Sequence, residues 1–358
     1  MHESVEPGNP IALFNLESGK RIVFMSEMDM NRKDDFPDRY ALIVRPLEPM
    51  EMGTRHVIAL KKELTDSGGN PLQSPAAFVA LRDGIPTTNE EIEKIRPRFE
   101  ELFDFLEAHG YARGELLLAW DFSVASKEFL LGSVLSMREK TLEEVTGKGL
   151  GYTITKIEDN PNQYLARIVE GDFEVPTFIT LENSIVYDEN HHPIRQYPNR
   201  KFPFTMIIPK KALTRTDPLP LVMFGHGIFG SGRGYLSGSG GIQDKIHDIA
   251  EQKGVVMLAT DWIGLSKGDL DLIINDVLYD LNRISIVTDR LQQSLINNLT
   301  LTELALGALT SDPKIVVGEG NLLDPEQVIY FGVSLGGIQG TSFVAISNRI
   351  KRGVLAVG

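Results

Sequence analysis

The sequence has no cysteine, no long apolar run and no cluster of basic residues. Without cysteine the chain can form neither disulfide bonds nor a thiolate metal site. No apolar run approaches the about 20 residues that a membrane-spanning helix requires. The net charge of -13 argues against nucleic acid as a partner, because phosphate contacts need a basic surface. The opening MHESVEPGNP has no basic region followed by an apolar one and so predicts no secretory signal.

The overall composition is that of an ordinary globular protein. Hydrophobic residues make up 42% and charged residues 24% of the 358 residues, which is typical of folded soluble domains. A chain of this length can form two or three domains, each with its own core. We predict a β-rich region with an inserted helix over residues 1–145, and the N-terminal half of an α/β domain over residues 146–358.

The N-terminal region combines short strand-like segments with one long helical pattern. The strand candidates are YALIVRP, TRHVIALK and AAFVALRDG, with the turn-rich LTDSGGNPLQSP before the last of them. Strands and turns at this spacing predict a small antiparallel sandwich. The following TTNEEIEKIRPRFEELFDFLEAHG predicts an amphipathic helix that begins with a capping box of Thr88 and Glu91. Pro97 should kink this helix or divide it, because proline removes a backbone donor and clashes with the preceding turn.

The C-terminal region alternates continuous apolar strands with helices. Its strand candidates are LPLVMFGHG, GVVMLATDW, QVIYFGVS and RGVLAVG. Such unbroken apolar runs are typical of a parallel sheet that is covered on both faces. A long helical segment lies between the second and third strands, with a stripe formed by Ile284, Val287, Leu291, Leu295 and Leu299. We therefore expect the first half of an α/β sheet here.

Gly332, Val333, Ser334, Leu335 and Gly336 form a G-x-S-x-G motif between an apolar run and a helical segment. In a nucleophile elbow the serine occupies a strained strand-to-helix turn, and small flanking residues let the two backbones approach. The helix N-terminus that follows favours developing negative charge. The motif predicts Ser334 as a nucleophile; the alternative is a tight turn that carries a solvated serine.

The earlier strand ends in Gly225-His226-Gly227, about a hundred residues before the elbow. Acyl transfer passes through an oxyanion, which hydrolases stabilise with backbone N–H groups. We expect one donor to be the amide of Leu335 and the other to be that of Ile228, with Phe229 as second choice. The alternative for His226 and Gly227 is a glycine-rich turn around a hydrogen-bonded histidine.

With these motifs, the segment from about Pro218 to Gly358 resembles the α/β-hydrolases of the esterase and lipase type. The whole chain is similar to large bacterial lipase-like proteins with an N-terminal immunoglobulin-like (Ig-like) region. The resemblance implies Ser334 as nucleophile, an ester of a small molecule or lipid as substrate, no cofactor or metal, and an extracellular or cell-envelope location. It also implies an oxyanion loop and pocket formed by His226, Gly227, Phe229, Asp261 and Trp262.

The general base of the predicted nucleophile is missing from its usual place in the chain. The superfamily order is nucleophile, acid, histidine, yet no His, Asp or Glu follows Ser334. The resemblance therefore implies that these residues are an incomplete piece, inactive alone, that ends before its acid and histidine. Upstream, Asp261 lies near a polar run with Asp269, Asp271 and Asp276, which we interpret as a solvated acidic loop. His247 is expected on a helix face.

Three functions remain open at this point. The first is a serine hydrolase of carboxylic esters. The second is a binding or scaffold protein in which the Ig-like region mediates surface attachment and the hydrolase half is inert. The third is an acyltransferase or peptidase that uses the same elbow. The sequence identifies no protein partner.

Overall fold

The computed structural model describes residues 2–6, 8–29 and 40–358. These residues form two compact units, Met1–Leu130 and Leu131–Gly358. The division falls within helix α3 (Lys127–Val145), whereas the sequence predicts a boundary after residue 145, where that helix ends. Each unit has hydrophobic core clusters of its own.

The first unit is a small α+β layer structure. Its elements are β1 (Ile11–Asn15), β2 (Phe24–Met28), β3 (Leu42–Pro46), β4 (Arg55–Lys61), α1 (Ala76–Arg82), α2 (Glu90–Ala108) and β5 (Leu116–Ser123). Strands β1, β4 and β5 form an antiparallel sheet in that order, and β2 pairs with β3. Side chains of α1 and α2 pack on one face of the three-stranded sheet. Residues of β2 and β3 pack on its other face.

The predicted Ig-like sandwich is not confirmed in this unit. The segment AAFVALRDG, predicted as a strand, forms helix α1 instead, and its buried Phe78 and Leu81 are three residues apart, on one helix face. Helix α2 begins one residue later than predicted: the side chain of Asn89, rather than Thr88, accepts the first amide hydrogen bonds. Pro97 lies inside α2 without dividing it. Leu102, Phe103 and Leu106, which follow the proline, are buried. Burial of each is worth about 1.5–3 kcal/mol, so their sum exceeds the about 3 kcal/mol that a proline inside a helix costs.

The second unit contains the remaining elements. After α3 they are β6 (Tyr152–Asp159), β7 (Leu165–Thr177), β8 (Gln196–Pro209), β9 (Leu219–Gly225), α4 (Gly232–Leu236), α5 (Gly241–Lys253), β10 (Val256–Thr260), α6 (Leu270–Leu272), α7 (Ser285–Leu306), β11 (Leu323–Val333), α8 (Leu335–Ile346) and β12 (Gly353–Ala356). The four apolar runs that the sequence predicts as strands form β9, β10, β11 and β12.

A seven-stranded sheet organises this unit, in the order β12-β11-β9-β10-β8-β7-β6. The four strands from β12 to β10 are parallel, and β8, β7 and β6 add to them in antiparallel pairs. Side chains of α7 and α8 pack on one face, and those of α4 and α5 on the other. Both faces are therefore covered, which explains the unbroken apolar runs of the parallel strands.

The sheet brings the ends of β9, β10 and β11 side by side. Gly225, the last residue of β9, is in register with Gly332 of β11, and Leu258 of β10 is in register with Met223 of β9. The carboxyl ends of neighbouring parallel strands meet at one edge, where loops bind ligands in open α/β sheets. In the ranges that the structure describes, no helix combines the length and apolar character needed to cross a membrane.

Candidate active site

Ser334 lies in the turn between β11 and α8 with an unusual backbone conformation. Its φ of 55° and ψ of -117° fall outside the regions that a residue with a side chain readily adopts, and such strain costs about 1–3 kcal/mol. The surrounding backbone holds the turn: the Ser334 amide donates to Ala356 O at 2.9 Å, and the Gly336 amide donates to His226 O at 2.9 Å. This is the geometry of a nucleophile elbow.

Three glycines allow the close backbone approach around the elbow. A β-carbon on Gly332 would lie 2.2 Å from Gly336 O, and one on Gly336 would lie 2.2 Å from Gly225 O. A β-carbon on Gly225 would lie 1.9 Å from the hydroxyl of Tyr330. None of these contacts can be relieved by rotating a flexible side chain away, so the elbow requires glycine at all three positions.

Tyr330 is a part of the elbow that the sequence interpretation missed. It is fully buried on β11, and its hydroxyl donates to Gly336 O at 2.6 Å. Burial raises the pKa of Tyr330, so the hydroxyl remains a donor. A β-carbon on Gly340 would lie 2.1 Å from the Tyr330 ring. The available signal was a tyrosine in an apolar strand followed by glycines at 332, 336 and 340.

Trp262, predicted in the pocket, lies in the core beneath the elbow. Its side chain is completely buried, and its ring makes edge contacts with Tyr330 at 6.5 Å and Phe343 at 6.3 Å. The structure therefore brings Trp262 next to the elbow but exposes none of its surface to a ligand.

Two backbone amides near Ser334 are free to bind an oxyanion. Among the described residues, the N–H groups of Leu335 and Ile228 have no hydrogen-bond acceptor. The amide of Phe229 is engaged, because it donates to Leu265 O at 2.8 Å. A β-carbon on Gly227 would lie 3.6 Å from Ser334 Cβ, so the β9 loop lies against Ser334. Leu335 and Ile228 thus have the free donors that an oxyanion hole needs.

Hydrogen bonds at both ring nitrogens hold His226 in a single neutral tautomer. Nδ1 lies 2.8 Å from Gly227 O and must donate to it, while Nε2 accepts from the Trp262 amide at 2.8 Å. The side chain is fully buried, and this burial lowers the pKa of His226. No lone pair is left to receive the proton of Ser334. His226 therefore joins the loop after β9 to the loop after β10 and cannot act as general base in this arrangement.

Asp261 lies beside His226 at the end of β10. Its Oδ1 accepts from the Gly232 amide at 2.8 Å and lies 4.0 Å from His226 Nε2. Because Nε2 carries no proton, the two side chains do not form an ion pair. Burial raises the pKa of Asp261, and the bond from Gly232 opposes that rise.

Asp261 also lines an open cleft of about 630 Å³. Other polar residues of the lining are Asp172, Thr205, Ser231, Arg233 and Lys267. Arg233 pairs with Glu170 at 2.9 Å, and Ser231 caps helix α4. The glycine-rich segment after His226 is thus partly helical and borders a cleft of substrate size with both polar and apolar lining residues.

The loop after β10 is anchored by Asp269, which corrects the prediction of a solvated acidic loop. Asp269 is completely buried and pairs with Arg290 of α7 at 2.6 Å. Its other oxygen accepts from the amides of Gly264 and Ser266. Polar partners allow this charge to be buried, a tertiary effect that the local acidic composition did not indicate. Asp271, in contrast, is exposed.

His247 is also committed to a structural role. It lies on α5, as expected, and is buried, with Nε2 donating to Leu236 O at 2.7 Å and Nδ1 accepting from Asn162 at 3.0 Å. In the described part of the second unit, no histidine is hydrogen-bonded to Ser334. No group of three His, Asp or Glu side chains among the described residues could hold a metal ion.

The sheet and the elbow fit an α/β-hydrolase fold. No protein-family model and no curated protein matches the chain. Similar solved structures include a proposed acetyl xylan esterase from Bacteroides fragilis, with a TM-score of 0.38, 12% identity, and coverage of 62% of this chain and 51% of that one. Acetyl xylan esterase 1 from Thermoanaerobacterium has a TM-score of 0.35, 15% identity, and coverage of 62% and 57%. A glucuronoyl esterase from Solibacter usitatus has a TM-score of 0.33, 12% identity, and coverage of 81% and 65%.

The chain thus spans between about half and about two thirds of the length of these proteins. At such TM-scores the likeness establishes neither fold nor activity. The fold assignment rests on the strand order, the two covered faces of the sheet, and the backbone of Ser334.

Proposed function

We propose that this protein is a serine hydrolase of carboxylic esters, with Ser334 as the nucleophile. The observation that carries the proposal is the strained backbone of Ser334 in a turn held by close glycine contacts. Such strain persists where the surrounding structure enforces it, and it clusters at functional sites. The free amides of Leu335 and Ile228 support an oxyanion hole at the same place.

The chemistry follows from these groups. Ser334 Oγ attacks the carbonyl carbon of an ester, and the carbonyl electrons move onto oxygen, where the two amides stabilise them. When the tetrahedral intermediate collapses, the bond to the alcohol breaks and an acyl-enzyme forms, which water then hydrolyses. The substrate class is a small-molecule or lipid ester, and the cleft lined by Asp261 would hold part of it.

Proton transfer limits the rate of this chain alone. His226 and His247 are both fully engaged, so Ser334 must lose its proton to solvent. An oxyanion hole and substrate binding without a triad retain about 10³–10⁴-fold catalysis over water, far below a complete triad. We therefore propose slow acylation and negligible turnover by these 358 residues.

Labelling with an alkyl fluorophosphonate tests this proposal. The wild-type chain should be phosphonylated slowly at Ser334, as located by peptide mass spectrometry, and Ser334→Ala should abolish that label. Ser342→Ala, which removes an exposed serine from the same helix, should leave the rate unchanged. Hydrolysis of p-nitrophenyl acetate should stay near the buffer rate.

Two results would contradict the proposal. Equal labelling of wild type and Ser334→Ala would mean that Ser334 is not a nucleophile, which favours a binding or scaffold protein. Labelling as fast as that of serine hydrolases with a full catalytic triad would refute the proposal that Ser334 has no general base among the described histidines.

A further inference from the structure

The hydroxyl of Tyr235 lies beside Ser334 and has no role in the site described so far. Tyr235 belongs to α4, in the glycine-rich segment after the β9 loop. Its ring is half-buried and packs 5.6 Å from the Phe224 ring and 6.5 Å from the His226 ring. Because both neighbours are buried, the tyrosine ring is held in place before any ligand binds.

Gly227 lies against both this hydroxyl and Ser334. A β-carbon on Gly227 would lie 3.0 Å from Tyr235 Oη and 3.6 Å from Ser334 Cβ. Because both distances are measured from the same point, Tyr235 Oη and Ser334 Cβ can be no farther apart than the sum of the two distances. Any side chain at position 227 would contact both groups.

The hydroxyl is also unoccupied. Among the described residues, Tyr235 Oη has no hydrogen-bond partner, whereas the Gly227 carbonyl already accepts from His226 and from Gly230. A phenol group that is held next to a nucleophile without a partner can donate to a ligand atom, and donors aimed at developing charge stabilise a transition state.

We propose that Tyr235 donates a hydrogen bond to the oxygen that gains negative charge when Ser334 attacks, as a side-chain donor beside the amides of Leu335 and Ile228. The inference rests on the proposed ester hydrolase function and adds a catalytic residue to it. Tyr235 keeps its proton throughout. The Ser334 proton passes to water, and the electrons of the carbonyl bond move to the oxygen that Tyr235 contacts.

The test measures phosphonylation of Ser334 by an alkyl fluorophosphonate over a range of probe concentrations. In that reaction Oγ bonds to phosphorus, fluoride leaves, the proton goes to water, and the phosphoryl oxygen occupies the oxyanion position. Tyr235→Phe should lower the maximal labelling rate about 10²-fold, as expected for loss of one oxyanion donor, with little change in the half-saturating probe concentration. Tyr197→Phe, at a side chain that is 78% exposed, should behave as wild type.

A second variant separates hydrogen bonding from packing. Replacing Tyr235 with 4-aminophenylalanine keeps the ring and an N–H donor and should restore most of the rate. The thermal unfolding midpoint of Tyr235→Phe should match that of wild type. A loss that the amino analogue does not rescue would overturn the donor role.

The remaining outcomes are also decisive. If wild type labels at Ser334 and Tyr235→Phe labels equally fast, the inference fails while the proposed function stands. If Ser334 is not labelled in wild type over the full concentration range, the proposed function fails and this inference fails with it.

Discussion

Replacing Gly332 by alanine should disrupt the elbow through steric overlap alone. The new methyl group would lie 2.2 Å from Gly336 O, 2.5 Å from Gly336 C and 2.5 Å from the hydroxyl of Tyr330. Overpacking a core costs about 1–3 kcal/mol and occasionally more. Here two of the three overlaps are with backbone atoms, which cannot rotate away. We therefore expect Gly332→Ala to lower the free energy of unfolding by about 3 kcal/mol or more.

Tryptophan fluorescence can report this change for the second unit alone. The chain has two tryptophans: Trp120 on β5 of the first unit, and Trp262, which packs against Tyr330 next to the elbow. In a Trp120→Phe background only Trp262 emits. With a urea dependence of about 1–3 kcal/mol per molar, the unfolding midpoint should fall by about 1 M or more.

The matched control in the same unit is Gly268→Ala. A β-carbon on Gly268 would meet only Ser266 Oγ, at an ordinary contact distance of 3.8 Å, so we expect a change within about 0.5 kcal/mol. Gly332→Ala should also abolish labelling of Ser334, because the displaced turn no longer presents it. If Gly332→Ala unfolds at the wild-type urea concentration and labels normally, the close approach of β11 and α8 is not required and our reading of the elbow is refuted.

Two further predictions concern buried charges in the second unit. Asp269→Asn should destabilise this unit by about 3–5 kcal/mol in the same urea assay, because it breaks a buried ion pair with Arg290 and leaves that cation uncompensated. The control is Asp271→Asn, at an exposed side chain. Equal urea midpoints for the two variants would be inconsistent with an anchoring role of Asp269. For Glu303, burial pushes the pKa up, but the ion pair with Arg349 and the hydrogen bonds from the Gly147 amide and Asn348 together outweigh it, so the pKa lies below its usual 4.5. The stabilising contribution of Glu303 is present above pH 4.5 and is lost as the pH falls through the lower pKa of the folded state. Urea midpoints between about pH 5 and 3 should therefore fall less steeply in Glu303→Gln than in wild type. Parallel pH profiles of the two proteins would disprove the lowered pKa of Glu303.

Local patterns in the sequence were sufficient for the parallel strands and for the elbow. The apolar runs of β9, β10, β11 and β12 differ in kind from the alternating runs of a half-buried sheet, since both faces are covered. The glycines around Ser334 mark a place where two backbones meet, a requirement that few other positions share. Both signals come from neighbours in sequence, so no knowledge of the tertiary fold was needed.

Features that depend on distant partners were not predictable in this way. The seven residues of α1 form an apolar run that is ambiguous between strand and helix at that length, and only packing against the sheet decides it. Asp269 belongs to an acidic stretch of sequence, yet Arg290, 21 residues away, makes its burial favourable. Tyr330 looks like an ordinary strand residue until glycines of β9, β11 and α8 enclose its hydroxyl.

The backbone network around the elbow holds the proposed oxyanion donors in place independently of a general base. His226 O accepts from the Gly336 amide, while the His226 ring joins Gly227 to Trp262. The β9 loop is thereby fixed both to the elbow and to the end of β10. Positioning of donors and supply of a proton acceptor are therefore separate properties of this fold. The donors are positioned by residues of the β9 loop whose hydrogen bonds are already formed. Variants that loosen the β9 loop should therefore reduce labelling of Ser334 even without a general base.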